Sequence, residues 1–81
     1  NGLLRYEHPK EMDEADILEI KNDFVQAALK AQRAGFDGVE LHGASGYLLD
    51  SFLHHSTNKR VDSYGGTPKK MCRFMLEVVR D

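Results

Sequence analysis

A helical pattern that runs directly into a short strand-like segment most constrains the fold of this 81-residue chain. Asp13 is a candidate N-cap, apolar residues then recur every three or four positions, and Gly35 suits a left-handed C-cap. Residues 36–42 follow, and because this segment is short and ends in a glycine-rich turn, it is predicted to be a strand. A helix that leads into a strand predicts an α/β fold with parallel strands.

The rest of the chain divides into loops and helices. We predict a loop over 1–12, a helix over 13–35, a strand over 36–42, a turn with a short helix and a loop over 43–66, and a helix over 67–81. This order amounts to about one and a half βα units, whereas a complete barrel of such units needs roughly 250 residues. Most of such a sheet is missing here, so the sequence predicts an internal fragment of an α/β fold, cut from a longer protein.

Composition and charge argue against several classes of protein. The formal net charge of -2 provides no basic surface for nucleic acid or for an anionic membrane. No apolar stretch reaches the roughly 18–20 residues of a membrane span, and no signal-peptide pattern is present. The single cysteine allows no intrachain disulfide and favours a reducing, cytoplasmic compartment. His54 and His55 have no thiol or carboxylate at a recognisable ligand spacing, so no metal site is predicted.

The candidate site lies between His42 and Tyr47. His42 stands at the predicted carboxyl end of the strand, where parallel α/β folds bind ligands. Gly43 and Gly46 allow a sharp turn and a close approach of the backbone to a ligand. An imidazole N–H can hold a carbonyl oxygen, and a phenol can supply a proton. Spacing alone leaves open that His42 is a core histidine with satisfied nitrogens and that Tyr47 packs on a helix with its hydroxyl in water.

The predicted strand has two unlike faces. Val39 and Leu41 share one face, and Glu40 and His42 share the other. If the apolar pair packs on helices, the polar pair must point towards a barrel interior or a cleft. A charged side chain on an enclosed face needs a partner, so this face is a candidate for function.

A long ordered set of residues resembles one enzyme family. The set comprises GFDGVELHGASGYLLDSFL at 35–53, TNKR at 57–60, DSYGG at 62–66, RF at 73–74 and LEVV at 76–79. It resembles the old yellow enzyme family, whose members are FMN-containing (β/α)8-barrel oxidoreductases such as 12-oxophytodienoate reductases, N-ethylmaleimide reductases and other ene-reductases. The likeness covers the chain from about Pro9 to its end, and it implies that the chain is an internal fragment of a (β/α)8 barrel.

The resemblance implies a chemistry and assigns residues to it. NAD(P)H reduces the FMN, which passes a hydride to the β-carbon of a small α,β-unsaturated carbonyl or nitro compound. His42 is expected to hydrogen-bond the carbonyl or nitro oxygen beside the flavin, and Tyr47 to donate a proton to the α-carbon. Ser45 stands where the family usually has a second His or an Asn, so it is an expected substrate contact with a shorter reach. The 81 residues alone are expected to be inactive.

The stretch after the site also matches the family, and we predict for it a structural role in loop hydrogen bonding and turn geometry, with a phosphate site at Lys59 and Arg60 as the open alternative. Its residues are Asn58, Lys59, Arg60, Asp62, Tyr64, Gly65 and Gly66. Two other functions stay open. One is a 2,4-dienoyl-CoA reductase-like flavoenzyme, because that branch also varies the position of Ser45. The other is a truncated, non-catalytic paralogue that acts only as a binding or structural module.

Overall fold

A computed structural model describes residues 4–81 as helices joined by loops. Helix α1 spans Glu14–Arg33, α2 spans Leu48–Ser51, α3 spans Pro68–Met71 and α4 spans Arg73–Arg80. Residues 4–12 are irregular, and the first three residues of the predicted loop over 1–12 lie outside the described part of the chain.

Both ends of α1 are capped by local hydrogen bonds. Asp13 Oδ1 accepts the Asp16 N–H at 2.8 Å, and Asp16 Oδ2 accepts the Asp13 N–H at 3.1 Å, which completes a capping box. At the other end Gly35 has a φ of 96°. The Phe36 N–H donates to the carbonyl of Ala31 at 3.1 Å, the long-range bond of a Schellman motif. The chain therefore leaves α1 in a fixed direction.

The strand predicted over 36–42 is not formed within residues 4–81. The segment is irregular, and residues 37–42 make no backbone–backbone hydrogen bond inside the described chain. A strand requires a neighbour that pairs with its N–H and C=O groups, and the apolar pattern does not report whether that neighbour is present. Leu41 packs against the core, whereas Val39 is 58% exposed.

The last helical segment is divided by a turn at Cys72, which separates α3 from α4. Thr67 caps α3, because its Oγ1 accepts the Lys70 N–H at 3.3 Å, and Pro68 occupies the first helical position. Cys72 is exposed. Beyond the break, Phe74 and Val78 of α4 pack with Ile17 of α1.

The core lies where α1, α2 and α4 meet. The Phe52 and Phe74 rings pack at a centroid distance of 4.6 Å and an angle of 50°. Leu49, in the short helix α2, is almost fully buried, so the segment directly after Tyr47 is anchored in the core. The buried cluster consists of Ile17, Leu49, Phe52, Phe74 and Val78, with Met12, Ile20, Phe24, Leu41, Tyr64 and Met75 packed around it.

An ion pair joins α1 to α4. Lys21 Nζ lies 2.9 Å from Glu77 Oε1, and the same oxygen accepts the Tyr64 hydroxyl at 2.8 Å. The Lys21 and Glu77 side chains are only 12% and 17% exposed. Burial alone would raise the pKa of Glu77, but the hydrogen bonds from Lys21 and Tyr64 outweigh burial and lower that pKa. The carboxylate is therefore charged at neutral pH and holds the two helices through charge-assisted hydrogen bonds.

Candidate active site

The turn before α2 brings an imidazole and a phenol together. The ring centroids of His42 and Tyr47 are 4.9 Å apart, and their planes are inclined by 53°. Tyr47 is 64% exposed and His42 is exposed, so neither side chain belongs to the core. An N–H donor and an O–H donor thus share one accessible surface.

The turn itself depends on two left-handed residues. The Tyr47 N–H donates to the carbonyl of Ala44 at 3.3 Å, and the residues between them, Ser45 and Gly46, have φ values of 61° and 76°. Two positive φ values at the centre are the signature of a type I′ turn. Gly46 adopts this conformation freely, whereas for Ser45 it costs on the order of 1 kcal/mol. Ser45 is exposed, and its hydroxyl makes no hydrogen bond within residues 4–81.

Asp50 ties this turn to α2. Its Oδ2 accepts the Gly46 N–H at 2.9 Å, and its Oδ1 lies 3.0 Å from His54 Nε2. The bond from the Gly46 amide is the main cause of a lowered pKa at Asp50, and His54 and His42 act in the same direction. Sequence reasoning missed Asp50 and considered His54 only as a metal ligand. Their spacing of four residues, an Asp followed by a His, was the available signal.

The stretch after the site closes around Asn58, which is buried. Its Nδ2 donates to the carbonyls of Phe52 and Tyr64 at 2.8 and 2.9 Å, and its Oδ1 accepts the Arg60 N–H at 3.0 Å. These bonds satisfy both donor hydrogens and one acceptor site of the amide. The structural role predicted for Asn58 is confirmed.

Arg60 also has a structural role. Its guanidinium is bidentate to Asp62, with contacts of 3.0 and 2.5 Å, and also donates to the carbonyl of Met12. The Arg60 side chain is 8% exposed, and its guanidinium carbon lies 5.7 Å from the centroid of the Phe52 ring. Hydrogen bonds from Arg60 are the main cause of the lowered pKa of Asp62. With its donors engaged in this way, Arg60 is not available to bind a phosphate.

Among residues 4–81 there is no group of three or more His, Cys, Asp or Glu side chains arranged to hold a metal ion. No helix of this part of the chain is long and apolar enough to span a bilayer.

Solved structures define the class of protein. The chain superposes on morphinone reductase with a TM-score of 0.91 and 44% identity, over 98% of this chain and 21% of that one. It superposes on Old Yellow Enzyme from Pichia sp. AKU4542 with a TM-score of 0.85 and 46% identity, over 88% of this chain and 19% of that one. These neighbours place the chain in the barrel fold family of FMN- and nicotinamide-dependent oxidoreductases. One of the morphinone reductase structures is a complex with tetrahydroNAD.

Residues 2–81 match the NADH:flavin oxidoreductase / NADH oxidase family, and the chain belongs to that family. It is 49% identical over 81 residues to 12-oxophytodienoate reductase 2 of Arabidopsis thaliana, a match that covers 98% of this chain and 22% of that protein. It is 47% identical over 76 residues to 12-oxophytodienoate reductase 7 of Oryza sativa subsp. japonica, covering 94% and 19%. The resemblance to the old yellow enzyme family is confirmed. The chain spans about a fifth of the length of these relatives.

Proposed function

We propose that this chain forms part of an FMN-dependent oxidoreductase that uses NAD(P)H to reduce the activated C=C bond of α,β-unsaturated carbonyl or nitro compounds. The observation that carries the proposal is the 4.9 Å approach of the His42 and Tyr47 rings in a chain of this family. The complete enzyme is then a longer polypeptide in which these residues form about one and a half βα units of the barrel. The 81 residues alone are inactive.

The donors of this chain fit the substrate side of such a site. When bound, the reduced flavin supplies the hydride that reaches the β-carbon, and His42 is the residue of this chain that would lie beside it. The FMN phosphate needs cationic or N–H donors, but Arg60 is already paired with Asp62. By the family resemblance, the arginine and the loops that bind the phosphate belong to segments of the complete enzyme outside this chain.

His42 is proposed to stabilise the negative charge that builds on the substrate oxygen as hydride reaches the β-carbon. A preorganised N–H donor aimed at that oxygen contributes on the order of 3 kcal/mol. Ser45 is the second proposed contact to the same oxygen. Because a serine hydroxyl reaches less far than an imidazole or an amide, a bridging water completes this contact.

Tyr47 is proposed to complete the reduction. Its hydroxyl gives a proton to the α-carbon, so the C=C bond gains one hydride and one proton and becomes saturated. The phenolate left behind regains a proton from solvent.

Replacement of Tyr47 by Phe tests this proposal in the complete enzyme. Tyr47→Phe should slow reduction of 2-cyclohexenone by about 10²–10⁴-fold, because a positioned general acid contributes that much. Reduction of the flavin by NAD(P)H should stay close to wild type, and stopped-flow absorbance separates the two half-reactions. Tyr6→Phe is the matched control, since Tyr6 is fully exposed and makes no hydrogen bond in the described chain. Equal losses in both half-reactions would contradict the proton-donor role.

Ser45 favours one alternative, a 2,4-dienoyl-CoA reductase-like enzyme, because it departs from the usual His or Asn of the family. Comparing 12-oxophytodienoate, the substrate in the names of the plant relatives, with a 2,4-dienoyl-CoA separates the two. Preference for the CoA ester would favour the alternative. A reading frame that stops after Asp81, with no flavin bound by its product, would indicate the non-catalytic paralogue instead.

A further inference from the structure

The turn that carries His42 and Tyr47 is weakly held by its own bonds. Its single cross-turn hydrogen bond, from the Tyr47 N–H to Ala44, is 3.3 Å long, whereas such bonds cluster near 2.9–3.0 Å. Ser45 also occupies a left-handed conformation that a side chain disfavours. The relative position of the imidazole and the phenol therefore depends on support from outside the turn.

Asp50 supplies that support. Its Oδ2 accepts the N–H of Gly46, the residue directly before Tyr47, at 2.9 Å. Asp50 follows Leu49, which is anchored in the core, and its own side chain is 15% exposed. A carboxylate that has restricted solvent access and lies on a helix anchored through Leu49 gives the turn a rigid point of attachment.

His54 fixes the carboxylate in turn. Its Nε2 lies 3.0 Å from Asp50 Oδ1, so each carboxylate oxygen has a partner and the group cannot rotate freely. The carbonyl of His54 accepts the N–H of Asn58 at 2.8 Å, and the Asn58 side chain is buried. Hydrogen bonds thus connect the loop after α2 to the turn, from Asn58 through His54 and Asp50 to Gly46.

We infer that Asp50 is a positioning residue of the candidate site. Through the Gly46 amide it holds the phenol of Tyr47 against His42, and His54 orients its carboxylate. Asp50 itself does not touch the substrate. This inference rests on the proposed function, because the geometry it maintains matters only if Tyr47 delivers a proton.

A double-mutant cycle in the complete, FMN-loaded enzyme separates positioning from a general structural effect. Asp50→Ala should slow 2-cyclohexenone reduction by about tenfold or more, since a misplacement of roughly 1 Å can cost 10²-fold. Asp50→Asn should recover most of the rate, because its amide oxygen still accepts the Gly46 N–H. In a Tyr47→Phe background, Asp50→Ala should cost less than about twofold, since the group it positions is gone. A loss of the same size in both backgrounds overturns the inference.

Control substitutions keep the test interpretable. Asp23→Ala changes an exposed Asp of α1 that forms no ion pair among the described residues, and its rate should match wild type. His54→Gln should slow the reaction about two- to threefold, by analogy with loss of one weak orienting bond. His55→Gln, one residue further on, should not. Equal effects of the two His substitutions would remove His54 from the network.

A measurement that does not depend on activity follows the hydrogen bond itself. Ser45–Gly46 is the sole Ser-Gly pair among these 81 residues. Labelling the 81-residue chain with ¹³C′-serine and ¹⁵N-glycine therefore selects the amide of Gly46. Asp50→Ala should speed exchange of that amide by about tenfold or more, while Asp23→Ala leaves it unchanged. Unchanged exchange in Asp50→Ala overturns the inference. A wild-type enzyme that reduces no C=C bond overturns the proposed function, and amide exchange then decides by itself whether Asp50 anchors the turn.

Discussion

Ser45 combines an unfavourable backbone conformation with a place in the candidate site. Its φ of 61° is the one positive value at a non-glycine residue in the described chain. Asn and His, the residues that the old yellow enzyme resemblance leads one to expect here, are among the types enriched in this conformation. Serine therefore has a shorter hydrogen-bond donor side chain than the expected Asn or His. It also fits the left-handed position of the turn less well.

Two substitutions at Ser45 separate these effects. Ser45→Asn and Ser45→Gly should both stabilise the turn by on the order of 1 kcal/mol, seen as a higher urea midpoint. Only Ser45→Asn should tighten a phenol such as p-hydroxybenzaldehyde in the complete enzyme, because only Asn restores a longer donor. Ligand affinity that rises equally in both variants would show that turn geometry, rather than the side chain, governs binding.

Gly65 is required for close packing. A Cβ built on Gly65 would lie 2.5 Å from Asn58 Oδ1 and 2.7 Å from Arg60 Cβ, closer than real contacts allow. Gly65→Ala should lower the free energy of unfolding by about 1–3 kcal/mol, the usual cost of overpacking. Gly38→Ala is the control, since a Cβ there meets nothing within 4 Å. Urea unfolding of the 81-residue chain, followed by helical circular dichroism, compares them, and equal midpoints would contradict the packing argument.

Residue identity revealed the candidate site only in part. The order of elements placed His42 at the end of a predicted strand, with Tyr47 nearby. The structure brings the rings of the two residues together. The role of Asp50 was not visible, because it depends on which backbone N–H its carboxylate reaches. The positive φ of Ser45 could not be predicted either, because serine, unlike glycine, is not typical of a left-handed conformation.

At the scale of elements, the Lys21–Glu77 pair makes the α1–α4 contact sensitive to pH. The folded-state pKa of Glu77 is lowered below its ordinary 4.5, so its stabilisation is complete above that value and is lost as pH falls through the lowered pKa. The pKa of Lys21 is raised above 10.5, chiefly by the hydrogen bond to Glu77, so its contribution is lost as pH rises through the raised value.

Glu77→Gln should remove this acid sensitivity. At pH 7 it should destabilise the chain by about 2 kcal/mol, the scale of a hydrogen bond to a charged group. The variant and the wild type should converge once the pH has fallen through the lowered pKa of Glu77, because protonation then removes the wild-type charge. Glu19→Gln, an exposed change on α1, is the control. Parallel curves of stability against pH for wild type and Glu77→Gln would contradict this role.

The ends of helix α1 were easier to predict from the sequence than the pairing of a strand. Asp13 and Gly35 were recognised as caps because capping is local chemistry, and the structure has a hydrogen-bonded capping box at Asp13 and a left-handed φ at Gly35. The 36–42 segment could not be judged in the same way. Its strand character depends on partners distant in sequence, and local composition carries no record of them.

At the scale of the whole molecule, the chain leaves an apolar face open. Phe36, Val39 and Val79 stay well exposed and line a broad hollow between α1 and the end of α4. The radius of gyration is 14.8 Å, whereas a closed domain of this length has one of about 12 Å. In the proposed complete enzyme, neighbouring βα units cover this face.

The isolated 81-residue chain should therefore bind a hydrophobic dye and fail to retain FMN. Fluorescence of anilinonaphthalene sulfonate should rise several-fold over a closed control domain, because contiguous apolar surface is exposed. Gel filtration after incubation with FMN should separate all flavin from the protein, since the phosphate-binding groups proposed above lie elsewhere. A yellow fraction that co-elutes with the chain would show that these residues suffice for the cofactor.

Residues 37–42 carry backbone groups that no strand of the described chain takes up. If a ribosome makes this segment within a longer polypeptide, α1 and α4 dock through Lys21 and Glu77 before any later strand has emerged. The unpaired backbone of residues 37–42 can then form hydrogen bonds with an extended segment of another nascent chain. Such pairing is the usual start of aggregation. Slower translation of the codons just downstream would prolong the exposure of this segment. The rate of translation there, and capture of the segment by chaperones, would then set the yield of soluble protein.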